Sequence, residues 1–306
     1  MFLRTAACGA AAASLESYTT AQGVSAAKTA LNPDNNSVLC EALSLKFLGT
    51  GAADWSLDQY PDNPDTLLAG RHRGFSSMLI NGSVLIDCGP TVPKALSLLH
   101  VHPDSITDIL ITHTHGDHFN RQSIETIASR RSADKTAMNV WMHENAARDI
   151  AAMKGCFVRP VKEYAHFRVQ QMDILPLEAN HRVENSTEKP LYYLFKTSNK
   201  SLLYALDGAW LTTRTWRVFM QEKLDAVVWD ATIGKQEGDY RIFEHNSLSM
   251  IRQINQTLSK QKIYAPDAKI ILSHLARSLH PEHAVLKKEL ESEGMLPAHD
   301  GLDVNV

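Results

Sequence analysis

The 306-residue sequence predicts an α/β domain in which β-sheets pack against one another with helices on the outside. Two observations carry that prediction. Short apolar runs of strand length come first in hairpin order and later alternate with helical patterns. Neither a solenoid-type repeat nor an internal linker breaks this progression, and 44% hydrophobic with 21% charged residues is ordinary for a globular chain of this length.

The folded domain is expected over residues 41–306. It opens with Leu43-Ser44-Leu45-Lys46-Phe47-Leu48, which alternates as a half-buried strand and is stopped by Gly49-Thr50-Gly51. A loop rich in Asp, Pro and Gly follows. Residues 77–80 and 84–87 then flank Asn81-Gly82, a strong two-residue hairpin signal, so they read as paired strands. Residues 93–99 have helical spacing, 108–112 read as a buried strand and 121–129 as a helix. Further strands are expected at 139–142, 172–177, 191–196, 201–206, 226–229 and 269–272. Helices are expected at 146–153, 213–223, 247–258 and 281–290, the last with Pro281 in its first turn.

Residues 1–40 read as a leader or disordered segment. The stretch to about residue 30 is rich in Ala, Ser and Thr without a core-quality pattern. Phe2-Leu3-Arg4-Thr5-Ala6-Ala7-Cys8-Gly9 and the alanines after it resemble the interior of a twin-arginine export signal that lacks its basic pair, so export to the periplasm and a cytoplasmic location both stay open. No segment reaches the roughly 18–20 uninterrupted apolar residues that a membrane span requires. A net charge of −3 argues against general affinity for nucleic acid or anionic membrane. Cys8, Cys40, Cys88 and Cys156 are scattered, which indicates neither a zinc knuckle nor a disulfide framework.

The chemistry concentrates in Ile109-Leu110-Ile111-Thr112-His113-Thr114-His115-Gly116-Asp117-His118. An apolar strand ends and His113, His115, Asp117 and His118 follow at once. Imidazole nitrogen and carboxylate oxygen suit zinc, manganese or iron, and ligands on a turn after a rigid strand converge without bending the sheet. One histidine there would be read as solvated. Three with an aspartate are read as metal ligands.

His113-x-His115-x-Asp117-His118 resembles the His-x-His-x-Asp-His signature of the metallo-β-lactamase superfamily. The resemblance covers the chain from about Leu43 onward and implies an αββα sandwich, two mixed β-sheets packed face to face with helices outside. It also implies further ligands in order, each after a strand: His181 in Leu177-Glu178-Ala179-Asn180-His181, Asp207 in Leu203-Tyr204-Ala205-Leu206-Asp207 and His274 in Ile270-Ile271-Leu272-Ser273-His274. Taken singly, His181 or His274 reads equally well as an ordinary surface or core histidine, and Asp207 as a turn residue before Gly208. By the resemblance, His113, His115 and His181 hold one divalent ion, Asp117, His118 and His274 a second, and Asp207 bridges them. Two such ions, zinc or manganese with iron also admissible, would share a water that loses its proton near neutral pH and attacks a small-molecule substrate.

Phe47-Leu48-Gly49-Thr50-Gly51, Tyr204-Ala205-Leu206-Asp207, Val227-Val228-Trp229-Asp230, Glu244-His245-Asn246-Ser247-Leu248 and Ala298-His299-Asp300-Gly301-Leu302-Asp303-Val304 resemble one branch of that superfamily. It contains ribonuclease Z and the phosphoribosyl 1,2-cyclic phosphate phosphodiesterase. The resemblance makes Asp117 and His245 the catalytic residues, His245 protonating the leaving alkoxide or stabilising the phosphorane. By its spacing, Asp230 after a strand of Val and Trp is a candidate to orient His245 through its other nitrogen. The bland alternative for His245 is a solvated helix-start histidine. Residues 52–74 depart from the cyclic phosphodiesterase, whose structural zinc site there uses cysteine, and no basic arm for transfer RNA is present. A dinuclear phosphodiesterase for a small diester, cyclic diesters included, is therefore expected, with a hydrolase of a lactone, lactam or thioester as the alternative and a non-catalytic binding protein as a third. A homodimer is left open. Arg71, His72 and Arg73 read either as a grip on substrate phosphate or as a solvated run. Trp55, Tyr60, Trp210 and Trp216 read as pocket or core.

Overall fold

The computed structural model describes residues 42–150, 152–185 and 187–306, so the expected leader with Cys8 and Cys40 lies outside the described residues. Strand β1 (Ser44–Gly49) is followed by a short helix α1 (Pro64–Leu68), the hairpin β2 (Ser77–Ile80) and β3 (Val84–Ile86), and helix α2 (Val92–Leu98). Strand β4 (Asp108–Leu110), helix α3 (Arg121–Ser129), β5 (Met138–His143), α4 (Glu144–Asp149) and β6 (Cys156–Val161) complete the first half. The second half runs β7 (Phe167–Val169), β8 (Met172–Glu178), β9 (Leu191–Lys196), β10 (Ser201–Ala205), α5 (Thr213–Phe219), β11 (Leu224–Asp230), α6 (Leu248–Lys260), β12 (Tyr264–Ser273), α7 (His283–Glu291), β13 (Met295–Pro297) and β14 (Asp303–Asn305).

These strands form two seven-stranded sheets, in the orders β14-β1-β2-β3-β4-β5-β6 and β13-β12-β11-β10-β9-β8-β7. Both are mixed. Hairpins give antiparallel pairs such as Leu79 with Leu85 and Tyr204 with Tyr193, whereas crossovers through helices give parallel pairs such as Ile109 with Val140 and Val228 with Ile271. Asn81 and Gly82 both take positive φ, 49° and 68°, as the tight hairpin turn demands.

Period-two alternation sorts the side chains into three layers. Phe47, Ile86, Leu110, Tyr193, Phe195, Tyr204 and Val228 fill the space between the sheets. Leu48, Leu85 and Ile109 face the other way, onto Val92 and Leu96 of α2 and Ile124 and Ile127 of α3. Leu194, Val227 and Trp229 face Leu248, Ile251 and Leu258 of α6 and Leu286 and Leu290 of α7. Central strands buried on both faces carry continuous apolar runs, and each fully buried Phe or Leu contributes about 1.5–3 kcal/mol. This is the helix-covered two-sheet sandwich that the sequence predicts.

The structure trims several expected elements. The helix expected over 146–153 starts at Glu144 and stops at Asp149, because Ile150 turns to extended backbone, and that over 213–223 stops at Phe219. Pro281 lies before the Glu282 N-cap of α7 rather than inside its first turn. Strands β6, β7, β13 and β14 are additional. Three of them are three residues long, and β6 is an edge strand carrying Arg159-Pro160 with little apolar periodicity, where proline costs no ladder bond.

Candidate metal centre

The C-terminal ends of the central parallel strands bring the expected ligands together. After β4 the chain turns so that the backbone N–H groups of His118 and Phe119 both donate to the His115 carbonyl, at 3.0 and 2.8 Å. Asp207 follows β10 and His274 follows β12, at φ of 52° and 57°. Left-handed backbone at non-glycine residues costs free energy and is retained where the surroundings fix it, here beside the cluster.

Asp207 is the hub. Its Oδ2 lies 3.2 Å from His113 Nε2, 3.0 Å from His118 Nε2 and 3.8 Å from His181 Nε2, and its Oδ1 lies 2.9 Å from His274 Nε2. Asp117 Oδ2 stands 3.4 Å from His118 Nε2 and 3.5 Å from His274 Nε2. His115 Nδ1 completes the set, 2.9 Å from His113 Nε2 and 3.2 Å from His181 Nε2. Donor atoms of His113, His115, His181 and Asp207 lie within 4.8 Å of one another, as do those of Asp117, His118, Asp207 and His274.

Whether this set fits divalent cations is decided by the nitrogens that face away. His118 Nδ1 meets Asp87 Oδ2 at 2.8 Å, His113 Nδ1 meets Thr112 Oγ1 at 3.0 Å and His181 Nδ1 donates to the Glu244 carbonyl at 3.2 Å. His274 Nδ1 meets Thr232 Oγ1 at 2.7 Å, and His115 Nε2 faces Glu184 at 3.4 Å. Each ring is thus anchored by one nitrogen and aims the other inward, the arrangement that sets tautomer and orientation for metal ligation. Inward nitrogens then face one another, with His118 Nε2 and His274 Nε2 3.3 Å apart. Two such lone pairs repel unless a proton or a cation lies between them. Asp207 Oδ1 is buried without a well-formed hydrogen bond, a further acceptor for a cation. Imidazole and carboxylate at this density fit divalent ions.

The buried carboxylates favour positive charge within the cluster. Burial opposes charge throughout, yet Asp207, Asp117 and Asp230 overcome it at His274 and raise that imidazole to about 10, and His118 is likewise well above its ordinary value. Burial and the charge of His118 push His113 down to about 3. Asp207 and Asp117 stay well below the usual carboxylate range despite burial, held there by His274 and His118 for the former and by His118 for the latter.

His245 stands at the edge of the cluster. Its ring stacks on His274 with centroids 5.5 Å apart and planes 9° from parallel. Its Nδ1 lies 2.8 Å from Oδ2 of Asp230, which also accepts from the backbone N–H groups of Asp207, Thr232 and Asn246 at 3.2, 3.1 and 3.1 Å. Burial works against the imidazolium, but Asp230 and then Asp207 raise His245 above its ordinary value. A cavity of about 230 Å³ opens over the site, lined by Ala52, Asp117, Arg241, His245 and His274 among others.

The supporting residues Asp87, Thr112 and Thr232 and the cavity residue Arg241 were not among the expected site residues. Asp87 closes the apolar run Val84-Leu85-Ile86, and Thr112 immediately precedes His113, which were the available signals. The run Arg71-His72-Arg73 is neither a grip on this cavity nor uniformly solvated. Arg73 is 4% exposed and donates to Thr50 Oγ1 and the Ala298 carbonyl, both at 2.6 Å, whereas Arg71 is exposed. Tyr60 is core, Trp55 donates to the Leu275 carbonyl, and Trp210 and Trp216 line a separate surface groove. Cys88 is a buried free thiol, as expected of a small core residue, and Cys156 is half-buried.

With this geometry in view, comparisons with known proteins converge. The family model described as Anti-Pycsar protein Apyc1 matches residues 43–269. The Anti-Pycsar protein Apyc1 of Paenibacillus sp. (strain J14) is 39% identical over 90 residues, covering 29% of this chain and 31% of that relative. The match thus spans less than a third of the relative's own length. Among solved structures, the metallo-β-lactamase fold protein YhfI from Bacillus subtilis aligns with a TM-score of 0.66 at 14% identity, over 87% of this chain and 100% of YhfI. A diphosphatase from the PhnP family aligns with a TM-score of 0.65 at 18% identity, over 88% of this chain and 98% of that one. These likenesses establish the metallo-β-lactamase fold.

Proposed function

Because the chain belongs to the Anti-Pycsar protein Apyc1 family, we propose that it is a metal-dependent hydrolase that opens a small cyclic phosphodiester of the cyclic-nucleotide class. The observation that carries this reading is the Asp230–His245 pair set against the ligand cluster, because an imidazole held by a carboxylate at the edge of a cation site suits proton delivery to a departing alkoxide.

His113, His115 and His181 would hold one ion, Asp117, His118 and His274 the other, and Asp207 both. Bound there, divalent ions supply charge to polarise a phosphoryl oxygen and to acidify a water. The chain's own residues do the rest. Asp230 engages Nδ1 of His245 and favours the charged form of the ring, so a proton to be delivered would sit on Nε2, which has no hydrogen-bond partner among the described residues. Delivery of that proton to the departing ester oxygen avoids release of a free alkoxide. Arg241, whose Nε and one terminal nitrogen are held by Asp239 at 2.8 and 2.7 Å, keeps its other terminal nitrogen for a phosphate oxygen at the cavity wall.

A substrate panel tests the reading. Purified protein loaded with manganese or zinc should cleave cyclic mononucleotides and leave a lactone, a chromogenic lactam and a thioester intact. Turnover of a carbonyl substrate with no diester cleavage would replace it with the carbonyl-hydrolase alternative.

A further inference from the structure

A second cavity of about 630 Å³ lies outside the candidate metal centre. Its lining includes Trp55, Arg71, Arg73, Arg277, His280 and His283, and it meets the metal-centre cavity only at Ala276, on the turn that follows His274. The two cavities therefore share a wall.

Three guanidiniums meet at this one cavity, and none has a carboxylate at ion-pair distance among the described residues, in contrast to Arg241 and Arg252, which each pair at 2.7 Å or closer. Arg73 forms the floor. It is buried, its hydrogen bonds go to neutral acceptors, and its second terminal nitrogen donates to His283 Nδ1 at 3.1 Å. Arg71 and Arg277 are exposed at the rim, where the Arg277 side chain donates to the Gln59 amide oxygen at 3.3 Å and its guanidinium lies 5.9 Å from the Trp55 ring centroid. Glu282 is the one carboxylate in the lining, and it caps no N–H of α7, which starts at this wall.

Asp300 interacts with Arg73 from beyond ion-pair distance, and the positive charge still shows in the neighbouring imidazoles. Burial comes first in each case, but Arg73 also lowers His280, His299 and His283, the last to about 4, and Arg277 lowers His72. His283 is consequently neutral, accepts from Arg73 through Nδ1 and keeps an Nε2–H donor. The first-turn N–H groups of α7 add partial positive charge at the same wall. Clustered guanidiniums without carboxylate partners, on a concavity of ligand size, match the geometry of phosphate oxygens.

We propose that this cavity is a second binding site, distinct from the metal centre, that takes the phosphate group of an organic phosphate monoester. Arg71 and Arg277 grip the anion from the rim, Arg73 supplies charge from the floor, and the Trp55 side contacts the organic part. This inference stands apart from the reading of the metal centre, since none of its residues is a candidate metal ligand.

Calorimetric titration of the metal-loaded full-length protein with 5′-AMP, and separately with inorganic phosphate and with adenosine, tests it. Wild type should bind 5′-AMP at a site that persists in His113→Ala, and adenosine should bind at least tenfold more weakly. Arg71→Ala/Arg277→Ala should weaken that site at least tenfold while diester turnover stays at the wild-type rate. Equal affinity for inorganic phosphate and 5′-AMP would overturn the monoester assignment. Binding lost in His113→Ala but unchanged in the double variant would place the anion at the metal centre and overturn the proposal, as would absence of binding. Crystals of wild type soaked with 5′-AMP give an independent reading: phosphate density at Arg71 and Arg277 is expected, and density confined to the metal centre contradicts it.

Discussion

His245 Nδ1 and Asp230 Oδ2 lie 2.8 Å apart, and Asp230 is fully buried while His245 reaches the cavity. The same carboxylate takes the Asp207 and Thr232 backbone N–H groups, so one side chain sets both the candidate acid and the turn that carries Asp207. Asp230→Asn keeps the shape and removes the charge. We expect kcat to fall by roughly 10–100-fold, the usual cost of losing such a supporting partner, with protein still folded. Steady-state kinetics beside metal analysis check this, and an unchanged kcat would contradict it.

Asp87 plays the corresponding part on the other sheet. It meets His118 Nδ1 at 2.8 Å and accepts from Thr112 N–H at 2.8 Å, at φ 58°. Asp87→Ala leaves His118 without its anchor and places alanine in left-handed backbone. Metal affinity should drop by about 10–100-fold, and Asp87→Asn, which tolerates that backbone and still offers an oxygen, should lose less. Competition with a chelator measures both.

Gly208 follows the hub aspartate where no side chain fits: an added Cβ would stand 1.8 Å from Tyr192 Oη, in a residue that is fully buried. Gly208→Ala should destabilise the fold by about 1–3 kcal/mol as an overpacked core substitution, read from urea denaturation. It should also shift Asp207 and weaken metal binding. A variant with wild-type stability and affinity would show that Tyr192 yields without cost.

Burial raises Asp300 from 3.8 to about 7, against the Gly74 N–H, the Thr50 hydroxyl and Arg73, which favour the carboxylate. A raised carboxyl pKa means that the folded chain holds this proton more tightly than the unfolded one. Its contribution to stability is therefore greatest below the unfolded value and falls as pH climbs from 3.8 to about 7, levelling above that. Asp300→Asn removes the carboxyl, so the stability of wild type relative to the variant should decline across that interval. Denaturant unfolding at stepped pH reads the difference, and parallel curves would contradict the assignment.

What the sequence made legible follows from how local each feature is. His113, His115, Asp117 and His118 are contiguous, and strands of Val, Ile and Leu ending at His181, Asp207 and His274 could be read one at a time. Their supports depend on which strand lies beside which. Asp87 reaches Thr112 and His118 because β3 runs parallel to β4, and Asp230 lies between Asp207 and His274 because β11 is central to β10 and β12. The position of His245 relative to Asp230 could be suggested from spacing, but not its stacking on His274. Arg73 resisted reading altogether, since a guanidinium in a charged run is solvated unless distant chain covers it, here Thr50 and Ala298. Edge strands β6 and β14 carry too little apolar periodicity to stand out.

The most direct test of the account is the dependence of the His245→Ala defect on the leaving group. An acid that protonates the departing oxygen matters most when that oxygen is a poor leaving group, and general acid catalysis contributes about 10²–10⁴-fold. For a cyclic nucleotide, whose leaving group is an alkoxide, kcat/KM should fall within that range. For a diester that releases 4-nitrophenolate it should fall much less, with metal content unchanged in both assays. An equal loss on both substrates, or a loss that tracks metal content, would contradict the role given to His245.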